Sequence, residues 1–342
     1  MFCRLTRGLV AAGFIGLAVA TEAREPDWIH GSSSQYPSEL YLIGVGYGDN
    51  RKAAEDAAYA ALARIFKAEI QARTTEWENY LQTDAQGETQ ASRQFRMDQA
   101  TTVSTQKVLE NVRITEVWRD ESTAVHYALA VMDRRQAGSA LRERITALDL
   151  TLEELLKQAR EAKDKLRKVR ALHQAIETLL LRDAYRADLR IVNPRSTGLE
   201  PPAQMASVRQ TLQDFLNRSF RITVEVSGKH SERIRSALVE ALNAQGLPVS
   251  RQSDPDADVV VVGTVAFEPV EMSQAKFVRW SVSFELRDLA TRQVIGNVNR
   301  QGREGHLTAL EAEARAVRAA QQELVEHLTS RIVHFIYGTG EK

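Results

Sequence analysis

The stretch Tyr41-Leu42-Ile43-Gly44-Val45-Gly46-Tyr47-Gly48-Asp49-Asn50-Arg51-Lys52-Ala53-Ala54-Glu55-Asp56-Ala57-Ala58-Tyr59-Ala60-Ala61 changes its period part-way along. Tyr41 to Gly46 is a short apolar run and predicts a strand, which Gly46 and Gly48 end. From Asn50 to about Gln71 the period is helical, with Ala54, Ala58, Ala61, Leu62 and Ile65 on one face. Six alanines between Ala53 and Ala61 leave little side-chain bulk, so this helix can lie close to a sheet. A glycine triplet between strand and helix invites comparison with a dinucleotide-binding turn, where helix N–H groups hold a pyrophosphate. The spacing here is G-x-G-x-G and not G-x-G-x-x-G, Asp49 would repel a phosphate, and a hairpin follows where a second βαβ unit belongs. The triplet is therefore read as a tight turn that needs positive φ.

Working outward, residues 72–110 are polar, with a strand expected near Ala72–Leu81 and a helix or strand near Phe95–Leu109. Val112–Trp118 and Ala124–Met132 read as an antiparallel hairpin around the polar turn Arg119-Asp120-Glu121-Ser122. Upstream, residues 24–39 contain Pro26, Gly31, a serine run and Pro37, an extended lead-in. Before it, Arg4 and Arg7 precede an uncharged apolar run from Gly8 to Ala20, followed by small-residue exits at Ala20 and Ala23. That order describes a secretory signal peptide, and the run is too short to span a bilayer. Cys3 lies before the apolar run, so it is not a lipobox cysteine, and cleavage removes it. A mature chain without thiols has no disulfide and no cysteine metal site. The expected location is the periplasm, without a lipid anchor and with at most peripheral membrane association.

Downstream, Leu141, Ile145, Leu148, Leu152, Leu155, Ala159, Ala162, Leu166, Val169, His173, Ile176 and Leu180 alternate four and three residues apart. This is a heptad seam with His173 as its polar member. Thr151-x-x-Glu154 is a capping box that permits a break at Asp149–Thr151, so one rod and a hairpin of two helices both remain open. An intramolecular helical layer and a coiled-coil homo-oligomer seam remain open as well. Asn193 to Pro202 is a Pro/Gly/Ser/Thr linker. Beyond it the pattern predicts a strand at Phe220–Val226 and a helix at Ser231–Gln245 stopped by Gly246. Strands follow at Asp258–Phe267, Val278–Leu286 and Val294–Arg300, and a final helix runs from a Thr308-x-x-Glu311 cap to about Phe335. The fold class is α+β: two small antiparallel-sheet domains with helices on one face, joined by a long helical segment. The division is 1–23 signal peptide, 24–133 first domain, 134–188 helical connector, 189–203 linker and 204–342 second domain.

Chemistry is hard to find. The 342 residues carry 45 Lys+Arg against 45 Asp+Glu, a balance that argues against a nucleic-acid partner. The histidines, at 30, 126, 173, 230, 306, 327 and 334, form no H-E-x-x-H or i,i+4 pair. No G-x-S-x-G turn, P-loop or calcium loop occurs, and Asp254-Pro255-Asp256-Ala257-Asp258 reads as an acidic turn. No catalytic, cofactor-binding or metal-ligating residue is assigned.

Pro26-Asp27-Trp28-Ile29, the Tyr41–Gly46 strand, the Ala53–Ala58 helix and Tyr127-Ala128-Leu129-Ala130-Val131-Met132-Asp133 together resemble the family of the twenty-kilodalton membrane-associated bacterial lipoprotein over residues 26–133. The same domain type is similar to the first domain of the flagellar H-ring protein FlgT. Ala257–Thr264, Trp280–Leu286 and Asp288-Leu289-Ala290-Thr291 are loosely similar to the envelope domains of LpoB and the curli pore protein CsgG. The resemblance implies a non-enzymatic envelope protein that acts by binding other envelope proteins. The alternative is a periplasmic hydrolase or ligand-binding protein with a site assembled from distant residues.

Overall fold

The computed structural model describes residues 25–82, 90–194, 199–250, 254–271 and 276–339. The signal-peptide reading of residues 1–23 lies outside the described residues.

The first sheet is built from β1 (Tyr41–Gly48), β2 (Val112–Arg119) and β3 (His126–Asp133), with α1 (Arg51–Gln82) and α2 (Gln90–Leu109) between β1 and β2. The order is β1-β3-β2, antiparallel throughout. Asn50 caps α1 by accepting the Ala53 N–H on Oδ1 at 2.9 Å. Ala54, Ala58, Leu62 and Phe66 are fully buried against Leu42, Ala128, Ala130 and Met132.

The glycine triplet is not a turn. Gly44 and Gly46 lie inside β1, the strand runs through Gly48, and none of the three has positive φ. Their lack of side chain admits the helix. A Cβ on Gly44 would stand 2.6 Å from Ala58 O, and one on Gly46 would stand 2.1 Å from Ala58 N. The glycine face of the strand meets the alanine face of the helix, backbone against backbone. The strand expected at 72–81 is also corrected: α1 continues to Gln82, so those residues are helical. Residues 95–109, open between helix and strand, lie in α2.

Asp133 caps α3 (Arg134–Glu161), accepting from Arg135 N and Gln136 N. α4 (Lys165–Val192) returns beside it, so the connector is a hairpin whose turn is Ala162–Asp164 and not Asp149–Thr151. The sequence box is not used as a cap, because Thr151 Oγ1 donates to Ala147 O within the helix at 3.0 Å. Asp164 caps instead, accepting from Leu166 N. The heptad seam divides between two cores. Its Leu141 and Ile145 pack with the first sheet, joined there by Tyr185, Leu189 and Val192 of α4, whereas its Leu152, Ala159, Leu166, Val169, Ile176 and Leu180 pack with the second. α4 thus passes the expected boundary at residue 188. Arg134 locks this corner by donating to Ser38 O and to the last carbonyls of α4, Ile191 O and Val192 O.

The second unit opens with α5 (Met205–Arg218), then β4 (Ile222–Gly228), α6 (Ser231–Ala244), β5 (Val259–Glu271), β6 (Lys276–Asp288) and β7 (Gln293–His306). The sheet order is β4-β5-β6-β7. β4 pairs parallel to β5 and the other pairs are antiparallel, so the sheet is mixed where wholly antiparallel pairing was expected. The reason is the α6 crossover, which returns the chain to the same end of the sheet. Val278, Trp280, Val282, Phe284 and Leu286 of β6 point into the core on alternate positions. Gly302 and Gly305 of β7 lie under the rings of Trp280 and Phe277.

The last helix is interrupted. α7 (Ala309–Glu323) and α8 (Thr329–Tyr337) are joined by a π-helical turn, Leu324–Leu328. Thr329 Oγ1 donates to Leu324 O at 2.8 Å from a buried position and holds the widened turn. The extra residue keeps Leu324, Leu328, Ile332 and Ile336 on the core side. Thr329→Val keeps the shape, removes the hydroxyl that Leu324 O accepts from, and is expected to cost about 1 kcal/mol, read as a lower urea midpoint.

Candidate docking surface

α1 covers one face of the first sheet. The other face carries Tyr41, Ile43, Val45 and Tyr47 of β1, Tyr127, Leu129 and Val131 of β3, and Trp118 of β2. The lead-in covers half of it. Asp27–His30 form a 3-10 turn ended by Gly31 at φ 84°, and Trp28 lies over Leu129 and Val131 with 1% of its surface exposed. Its Nε1 donates to Glu116 Oε2 at 2.7 Å. Tyr36 meets Tyr41 edge-on at 5.3 Å.

The other half carries a cross-strand aromatic row. Tyr47 pairs with Tyr127, and Tyr127 with Trp118, with ring centroids 6.2 and 5.6 Å apart. Tyr47 is 71% exposed. Aromatic rings at the surface supply large contact area with few rotors to immobilise, which is what interfaces use. Sequence reasoning missed this row, because alternation orders side chains within one strand, and the register, shifted in β2 between Ile114 and Glu116, is what puts 47, 118 and 127 on one face.

The strand edges differ. β2 is bulged between Ile114 and Glu116 and carries Arg113 and Arg119. β4 is bridged by Val249 and contains Glu225, while β7 carries Arg300, Arg303 and Glu304. These are the usual protections of an open edge. β1 has no charge and no proline in its eight residues. Arg134 N donates to Leu40 O, which sets the ladder parity: even-numbered residues bond β3, and the N–H and C=O of Ile43, Val45 and Tyr47 point outward. Among the described residues no other strand pairs with that edge.

The titratable clusters make their contacts within the fold. Lys229 Nζ and His230 Nε2 both meet Glu313 Oε1, and these two partners hold the carboxyl below its ordinary range, Lys229 first. His230 is left-handed at φ 64° before α6, with its ring edge-on to Phe267 at 5.3 Å. The acidic turn is spent on its own scaffold: Asp258 accepts from Arg221 N and pairs with Lys165, and Asp254 accepts from Asp256 N and Arg221. His173 is buried and stacked on Tyr337 at 4.1 Å. Two ionisable side chains are buried on α4. Arg182 donates to Asp149 Oδ1 and Leu199 O. Asp188 is fully buried with no well-aligned hydrogen bond to either carboxylate oxygen; Ser104, also buried beside it, has its hydroxyl directed to Thr101 O. Burial pushes the Asp188 carboxyl up to about 7, against a smaller opposing effect of Ser104. Among the described residues no group of three His, Cys, Asp or Glu is placed to hold a metal ion, and no helix is long and apolar enough to cross a membrane.

Among the described residues, the first sheet thus presents a half-covered aromatic face beside an edge strand that carries no charge and no proline. Residues 26–133, the whole of that sheet with its helices and lead-in, match the family model of the LPP20 lipoprotein. The match supports an exported envelope protein. No curated protein matches the chain. Among solved structures, the secreted protein HP1454 from Helicobacter pylori is similar at 12% identity over 84% of this chain and 98% of that one, with a TM-score of 0.42. A minor lipoprotein from Acinetobacter baumannii is similar at 17% identity over 35% of this chain and 91% of its own, with a TM-score of 0.26. Lipoprotein GNA1162 from Neisseria meningitidis is similar at 13% identity over 34% and 99%, with a TM-score of 0.25. Likenesses this distant carry no functional assignment.

Proposed function

We propose that the protein is a non-enzymatic scaffold or assembly factor of the periplasm, acting through protein–protein contacts. The setting implied by its resemblance is the outer membrane or the flagellar base. The observation that supports this reading is the aromatic row Tyr47–Tyr127–Trp118 on a sheet face that Trp28 only half covers. An interface needs area and a few anchoring rings more than it needs titrating groups. The hairpin α3–α4, rooted in both cores, would tie a partner held by the first sheet to whatever the second unit contacts.

The test is a pull-down from the envelope fraction under gentle conditions, comparing the parent with Tyr47→Ser. The reading expects a specific envelope protein with the parent and its loss with the variant, while the variant's unfolding curve stays within about 0.5 kcal/mol of the parent. Recovery of the bait alone from both, or of the same partner from both, would contradict it.

A further inference from the structure

We propose that β1 pairs antiparallel with β1 of a second copy of this chain, joining two three-stranded sheets into one. This rests on the docking reading above and names its partner. The argument is the symmetry of the edge itself. About Gly44 the strand reads aromatic, β-branched, glycine, β-branched, aromatic at Tyr41, Ile43, Gly44, Val45 and Tyr47. A twofold axis at Gly44 sets Ile43 opposite Val45 of the second copy and Val45 opposite its Ile43. Both are odd-numbered residues whose N–H and C=O point outward, so each pair can exchange both ladder bonds. The same axis brings Tyr41 to Tyr47 of the second copy on the outer face, where Tyr47 is otherwise exposed. Tyr41 N is already bonded to Pro37 O, so the new ladder centres on residues 43–45. An isologous contact of this kind closes as a dimer and does not propagate.

The register also carries a signature. It brings Asp49, exposed just past the strand, towards the end of the second copy where Glu39 is exposed on the turn before β1, at both ends of the new ladder. Asp49→Lys exchanges a carboxylate for an ammonium on the approach to Glu39 of the second copy and is expected to tighten the dimer.

Sedimentation equilibrium of the protein purified from the envelope is the test. The parent is expected to show reversible monomer–dimer exchange. Val45→Pro removes an outward N–H without touching the β3 ladder and is expected to weaken the dimer about tenfold or more. Tyr47→Lys, which leaves the backbone alone, is expected to act in the same direction. A parent that stays monomeric at concentrations on the order of 100 μM overturns the proposal, as does a dimer indifferent to both variants. The two readings fail separately. A monomer that still loses another envelope protein on Tyr47→Ser overturns self-pairing and leaves the docking reading intact. A dimer broken by Val45→Pro with no other protein captured supports self-pairing and contradicts the scaffold.

Discussion

Gly46→Val is expected to prevent the first sheet from closing on α1, with a cost above about 4 kcal/mol. The Cβ alone would stand 2.1 Å from Ala58 N and 2.4 Å from Ala54 O, and both are helix backbone, which cannot rotate aside as a side chain can. The helix would have to lift off the strand, exposing Ala54, Ala58, Leu62 and Phe66, all buried in that core. Gly46→Ala brings the same contact and is expected to cost about 3 kcal/mol or more. Gly138→Ala is the matched control. Gly138 is also buried but lies in α3, where an added Cβ would stand 3.6 Å from its nearest neighbour atom, so alanine there is expected to be neutral or to stabilise by up to about 1 kcal/mol. Urea unfolding followed by the fluorescence of Trp28 and Trp118 reads the comparison. Equal midpoints for Gly46→Ala and Gly138→Ala would refute the close-approach account.

The second large effect is a pH dependence from Asp188. Its carboxyl is raised to about 7 by burial in the α2–α4 interface, from an ordinary value of 3.8. In the folded chain it holds its proton up to about 7, while in the unfolded chain it loses that proton above about 4. Ionisation therefore favours the unfolded chain. The stability associated with the neutral carboxyl is fully present below the unfolded pKa and is lost as pH rises through the folded one. A shift of about three units corresponds to about 4 kcal/mol across that window. Asp188→Asn keeps the shape and removes the titration. Urea midpoints at several pH values are expected to fall from pH 4 to 8 in the parent by more than in the variant, with the variant the more stable protein at pH 8. Parallel profiles would contradict the buried neutral carboxyl.

These two positions show what a one-dimensional reading carries and what it does not. The strand–helix alternation at Tyr41–Ala61 was legible because period is local, and the alanine run announced a close helix. The purpose of Gly44 and Gly46 was not legible, because an extended glycine under a helix and a turn glycine at positive φ look alike in sequence. The α3–α4 hairpin was open at the sequence level. Its turn went to Asp164 and not to Thr151 because Leu152 and Ala159 continue the apolar seam into the second core, so breaking the helix at Thr151 would withdraw buried surface. α5 went unread, though Val208, Leu212 and Leu216 are four apart and all buried. Asp188 looked like any helix-surface acid until tertiary packing placed α2 over it. The aromatic row was recoverable in principle, but only once the register of β1, β2 and β3 was known.

Photo-crosslinking in intact cells tests most directly whether the first sheet's open face is where this protein meets its partners. A photoreactive residue is placed at Tyr47, and in a second strain at Leu150, which is comparably exposed on the helical hairpin. Discrete adducts from position 47 and none of the same species from position 150 are the predicted result. Identical adduct patterns from the two positions, or none from position 47, would contradict it.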